Sequence, residues 1–206
     1  MSQSNPIILF PLPALLLAGC FSFAQSAPEK QRFAFTATRP TAEAPIHGGP
    51  ILLVRPATTA PGFAERAFVV RLSDQRFEQD VYHELFTPPA DALADAAREW
   101  LTRAGMFAAV FQSGSAVVPT HRLELDLRTL HVDLRDPTSP TAVLEIAWFL
   151  ITSDSARLLE HGTVRSTAHA QDASGVTLAS AYEKALADAL LALEQALRKA
   201  LLAPGR

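Results

Sequence analysis

His121-Arg122-Leu123-Glu124-Leu125-Asp126-Leu127-Arg128-Thr129-Leu130-His131-Val132-Asp133-Leu134 is the stretch that decides the fold. Leu123, Leu125 and Leu127 recur at every second position, the period of a strand with one buried face. After Arg128-Thr129 the apolar set changes parity to Leu130, Val132 and Leu134. A strand that keeps one face buried across such a switch must absorb an extra residue, so a bulge or kink is expected near Arg128-Thr129. Asp136 to Pro140 then supplies turn residues. Thr141 to Thr152 follows, with Leu144, Ile146, Trp148 and Leu150 alternating against Val143, Ala147, Phe149 and Ile151. A strand apolar on both parities belongs in the middle of a sheet. Ser153-Asp154-Ser155 turns the chain into a third strand around Leu158 to His169, and the three predict an antiparallel meander.

Two helices flank this meander. Pro88-Pro89 opens the first, where a missing N–H leaves nothing unpaired. Leu93, Ala97, Trp100, Leu101 and Ala104 form its apolar stripe, and Gly105 is a natural stop. The second runs from about Leu178 to Leu202, rich in Ala and Leu, with Tyr182, Leu186, Ala189, Leu190, Leu193, Leu197 and Leu201 on one face. Leu191 and Leu202 widen that face, which motivates an expectation of homo-oligomerisation.

Upstream, Arg32 to Thr38 alternates Phe33, Phe35 and Ala37 as a strand. Ile51 to Arg55 is a short buried strand. Phe68 to Leu72 and Phe77 to Phe86 flank Ser73-Asp74-Gln75-Arg76 as a hairpin. Met106 to Phe111 is a further short strand. The expected class is α+β, a mostly antiparallel sheet with two main helices packed on one face.

The N-terminus reads differently. No charged side chain occurs before Glu29 among the 206 residues, and Ile7 to Leu17 is apolar apart from Pro11 and Pro13. Such a run is a targeting segment, too short and too broken for a comfortable transmembrane helix. It ends in Leu17-Ala18-Gly19-Cys20, which resembles the lipobox of bacterial lipoprotein signal peptides. Small residues admit the chain to a peptidase cleft, and only the thiol of Cys20 can carry a thioether-linked diacylglycerol. Cys20 is the single cysteine of the chain. The expected organisation is a signal peptide over 1–19, cleaved between Gly19 and Cys20, a lipidated tether over 20–31 and one domain over 32–206. Phe21, in place of an Asp retention signal, points to the outer membrane, facing the periplasm. A net charge of −3 argues against a nucleic-acid partner.

The lipobox, the run Ile51 to Pro56, Val70-Arg71 before Tyr82-His83-Glu84-Leu85-Phe86, and Pro88 opening a helix that ends at Gly105 resemble the ABC-type transport auxiliary lipoprotein family. That family is similar to the paraquat-inducible lipoprotein C group. The meander with Trp148 and the closing Ala/Leu helix fit the same pattern, and the resemblance covers roughly 31–201. Its pattern has Trp where Phe86 stands. The resemblance implies a non-catalytic, outer-membrane-anchored accessory subunit. Its partner would be a mammalian-cell-entry (MCE) domain protein of an ABC transporter for lipids or other apolar solutes. Two alternatives stay open: an envelope-assembly or cell-wall lipoprotein docking a barrel or a peptidoglycan synthase, and a small carrier holding lipid between sheet and helices.

No nucleophile elbow, zinc-protease helix or phosphate-binding glycine loop is present, so no enzyme is expected. No cofactor is expected beyond the covalent lipid on Cys20. His131 and Asp133 share one strand face, with His121 on the same strand, and are the best metal candidates. The favoured reading is a solvated polar face and no metal. His83 and Glu84, being adjacent on a strand, point apart and make no acid/base pair. His161 and His169 read as exposed. Tyr82, Phe86 and Trp100 cluster around the Pro88 bend. Trp100 reads as core, while Tyr82 and Phe86 read either as core or as a partner-binding or lipid-contacting patch.

Overall fold

A computed structural model describes residues 29–112 and 114–202. The strands are β1 (Gln31–Phe33), β2 (Ile51–Val54), β3 (Thr58–Thr59), β4 (Ala67–Arg71), β5 (Phe77–Leu85), β6 (Ala109–Phe111), β7 (His121–Asp133), β8 (Thr141–Thr152) and β9 (Leu158–His169). The helices are α1 (Pro89–Arg103) and α2 (Gly175–Leu202), with a 3-10 turn at Pro61–Phe63.

β7 is the spine of a single sheet. One of its edges pairs antiparallel with β8 along its whole length, and β8 pairs antiparallel with β9. Its other edge is shared by three short segments in succession, all parallel to it. β2 takes His121 to Leu123, β3 takes Asp126 and Leu127, and β4 takes Val132 and Asp133. Outside them, β6 adds parallel to β2, β5 antiparallel to β4 and β1 parallel to β5.

The sheet is therefore mixed, and the expectation of a mostly antiparallel sheet is corrected. Apolar alternation reports which face a strand buries, not the direction in which it pairs. β2, β3 and β4 carry no turn chemistry linking them to β7, which lies tens of residues downstream. The α+β class stands. The expected strand over 32–38 is also shorter: only Gln31–Phe33 enters the ladder, although Phe35 and Ala37 are buried.

The bulge falls where the parity switch placed it, between Leu127 and Thr129. It keeps Leu123, Leu125, Leu127, Leu130 and Val132 on one buried face. α1 covers the β2, β3 and β6 side of that face and α2 covers β8 and β9. Ala142, Leu144, Ile146, Trp148 and Leu150 of β8 meet α2 residues Leu186, Leu190, Leu193 and Leu197 in one core. Burying each such leucine is worth about 2 kcal/mol, so helix–sheet packing dominates the stability. Gly105 ends α1 at φ +66°, and the loop before β2 docks there, with Glu43 N–H donating to Arg103 O at 2.8 Å.

Candidate interaction surface

The hairpin of β4 and β5 is irregular. Between the ladder pairs Ala67–Glu84 and Val69–Gln79, β4 advances only from Ala67 to Val69 while β5 spans Gln79 to Glu84. The surplus residues of β5 must leave the ladder, and Asp80 stabilises the detour. Its Oδ1 accepts the N–H groups of Tyr82 at 2.9 Å and His83 at 3.2 Å, and its Oδ2 lies 2.6 Å from His83 Nδ1. An Asx-type turn of this kind replaces ladder bonds with side-chain bonds.

The detour pushes Val81 and Tyr82 outward, with 61% and 43% of their surface exposed. Phe86, just past the end of β5, is 68% exposed. Both candidates Tyr82 and Phe86 thus lie on the surface, while Trp100 is buried and donates its Nε1–H to Glu194 at 2.9 Å. Val81 joins them without having been singled out. The sequence signal was Asp80, an Asx-turn former inside an otherwise extended run.

The first described residues run beside this detour. Gln31 is the ladder partner of His83, so Lys30 precedes the pair next to Tyr82. Glu84 accepts Arg32 Nε at 2.7 Å, with Lys30 Nζ at 3.6 Å. The guanidinium of Arg32 holds the Glu84 carboxyl below its usual range, despite the opposing effect of burial. His83 and Glu84 point apart, as strand geometry requires.

At the other side of the sheet, β9 pairs only with β8 among the described residues. Its outer edge offers twelve residues of backbone, Leu158–His169. Thr163, Arg165 and Thr167 alternate along it, and Ser166 Oγ donates to Ala185 O of α2 at 2.7 Å. Four strands separate β1 from β9, in the order β1, β5, β4, β7, β8, β9.

His131 departs from its expectation. It is buried rather than solvated, because the Phe63 ring stacks on it at 6.2 Å and Phe77 meets it edge-on at 5.4 Å. Neither ring nitrogen has a hydrogen-bond partner among the described residues, and burial pushes its pKa down to about 4. Asp133 is taken by Arg135, whose Nη2 lies 2.7 Å away. Its pKa falls to about 2, chiefly through that hydrogen bond. His121 Nδ1 contacts Thr120 Oγ1 at 2.8 Å, His161 stacks on Phe149, and His169 Nδ1 is 3.0 Å from Thr141 Oγ1. No group of three metal-ligating side chains is assembled among the described residues.

The space between β4, β5 and α2, lined by Phe68, Leu85, Leu130 and Tyr182 among others, has a volume of about 10 Å³, room for one water. No described helix is long and apolar enough to cross a membrane. Gly19 and Cys20 lie outside the described residues. On α2, Leu191 and Leu202 are 45% and 83% exposed.

A crystal structure of a Xanthomonas campestris protein superposes with a TM-score of 0.72 at 20% identity, over 82% of this chain and 96% of that one. An uncharacterized protein gives 0.61 at 12% identity, over 79% and 98%. A hypothetical protein from Chlamydia trachomatis gives 0.51 at 6% identity, over 76% and 99%. At these identities the likeness is one of fold. No protein with a curated description matches the chain. The sequence of residues 33–193 matches the model of the ABC-type transport auxiliary lipoprotein component family, and the chain belongs to that family.

Proposed function

We propose that this chain is a non-catalytic accessory subunit of an ABC transporter that moves lipids or similar apolar solutes. In this reading it is acylated on Cys20, anchored in the outer membrane and exposed to the periplasm, where it engages an MCE-domain protein. Family membership supports the transport role. The geometry supports a positional mechanism. The first described strand is β1, and the edge of β9 that is unpaired among the described residues lies on the far side of the sheet, about 24 Å away at roughly 4.8 Å per strand.

That separation is the observation that carries the reading. An anchor attached at one side leaves the opposite edge facing into the periplasm. An unpaired strand edge recognises an incoming strand through main-chain hydrogen bonds. A partner strand laid along Leu158–His169 would extend the sheet without disturbing the core. No ATP site is read in the sequence, so energy comes from the partner ATPase. The carrier alternative draws no support from the packed space beside Tyr182, since lipid sites need hundreds of Å³.

The test is a photocrosslinking amino acid at Thr163 in the full chain, tagged after Arg206 and irradiated in intact cells. Covalent capture of an MCE-domain protein supports the reading. Capture of an outer-membrane barrel or a peptidoglycan synthase would replace it with the envelope-assembly alternative. Copies of the chain crosslinked through Leu191 would support the expected homo-oligomer.

A further inference from the structure

We propose that Val81, Tyr82 and Phe86 form a bilayer-contact patch that seats the β1–β5 side of the domain on the membrane surface. The inference rests on the reading that Cys20 is the lipid anchor, and adds which face of the domain the anchor brings against the lipid.

Three observations converge. The first is chain length. Lys30 lies ten positions after Cys20, and even a fully extended chain spans only about 35 Å over that interval. An acylated Cys20 therefore keeps Lys30 near the membrane. The second is register. The Gln31–His83 pair fixes the incoming chain beside the β5 detour, so the tether arrives at the point where Val81 and Tyr82 are pushed outward. The third is composition. Within the six residues 81–86 an aliphatic side chain, a tyrosine and a phenylalanine are all exposed, Val81 and Tyr82 at the detour inside β5 and Phe86 just past its end. Rings such as that of Tyr82, with an apolar body and a polar tip, favour the headgroup boundary of a bilayer.

Charge also fits a lipid surface. Lys30 and Arg32 flank the patch, with side chains 60% and 56% exposed; both lie beside Glu84, so the three together carry one net positive charge. Basic side chains near an anionic surface add attraction that salt weakens. The detour has a structural cause, the Asp80 turn, but no structural need for the identities of Val81 and Tyr82. A bulge exposing only polar residues would close the hairpin equally well. Apolar burial of these side chains in lipid gives their choice a physical reason.

The experiment uses the full acylated protein in vesicles of phosphatidylethanolamine and phosphatidylglycerol, with bromine on the acyl chains. Three variants are compared: Tyr82→Trp, Phe86→Trp, and Leu158→Trp on the far side of the sheet. The native Trp100 and Trp148 are buried and provide a constant background. Flotation and the acyl mass are measured first. The expected result is that the chain floats, and that emission from positions 82 and 86 is lost to bromine while that from 158 is retained. If the chain floats but positions 82 and 86 keep their emission and remain open to acrylamide, the patch is overturned and the anchor stands. If they are shielded from acrylamide without loss to bromine, a protein covers them and the patch is likewise overturned. If the chain is not acylated and does not float, the anchor reading falls, and this inference with it. Because either reporter suffices, misfolding of one variant does not blunt the test.

Discussion

The Nε of Arg39 lies 2.9 Å from Oε2 of Glu194, joining positions 155 residues apart. Glu194 also accepts Trp100 Nε1 at 2.9 Å and Arg198 Nε at 3.0 Å. One carboxylate thus ties α1, α2 and the loop before β2 together inside the protein. Its side chain is only 4% exposed, and removing Arg39 leaves this buried carboxylate neutralised by Arg198 alone of these two cations. Arg39→Met is expected to destabilise the fold by about 3 kcal/mol. The double variant Arg39→Met/Glu194→Met is expected to cost less than the two single changes summed. Urea unfolding of the four proteins checks both statements.

Gly105 is expected to be intolerant of alanine. At φ +66° a Cβ would stand 2.7 Å from the backbone oxygen of Ala44 and from Cβ of Glu43, so strain and collision add. Gly48 has a similar φ of +70° but open space around it. Gly48→Ala should cost about 1 kcal/mol and Gly105→Ala more than about 2 kcal/mol. Equal losses in thermal or urea unfolding would show that the loop at Ala44 yields freely.

Acid should weaken the protein through His131. Burial holds its pKa down at about 4, whereas the unfolded chain takes up the proton near the ordinary value of 6.5. Between those values the unfolded state binds more protons, so stability falls as pH drops from 6.5 towards 4. The neutral ring, wedged between Phe63 and Phe77, makes no hydrogen bond among the described residues that replacement would remove. His131→Phe is therefore expected to flatten the pH dependence in that window. Unfolding measured at several pH values, with and without the substitution, reads this directly.

Cys20→Ala is expected to leave the chain without its acyl mass increment and with its first 19 residues attached. Intact mass spectrometry of the membrane fraction decides it. An acylated mass that survives the substitution would place the lipid elsewhere.

The long elements were legible in the sequence. β7, β8 and β9 announced themselves because each is long enough for a period of two to stand out, and the parity switch at Arg128-Thr129 fixed the bulge to the residue. Trp100 was placed in the core by helical spacing alone. The direction of pairing was not legible, because β2, β3 and β4 are too short to encode a register and find β7 only in three dimensions. His131 was misjudged for a related reason. Its same-face neighbours on β7, Thr129 and Asp133, are polar, and the rings that bury it come from Phe63 and Phe77, far away in sequence. The Glu194 cluster was equally hidden, since a glutamate among leucines on α2 reads as surface until Arg39 arrives from the other end of the chain. At the surface, Tyr82 and Phe86 were picked out by aromatic spacing, but Val81 needed the Asp80 turn to be seen.

The two edges of β7 also set an order of assembly. β8 and β9 follow β7 immediately, so the C-terminal half can pair through short loops and close under α2. The segments that line the opposite edge emerge earlier, yet wait for a strand some 60–70 positions downstream before they can join the spine of the sheet. Pairings of such long sequence separation are entropically late and slow. The first hundred residues therefore leave the ribosome as a segment that cannot close its own sheet, and stays threadable until the meander supplies its template.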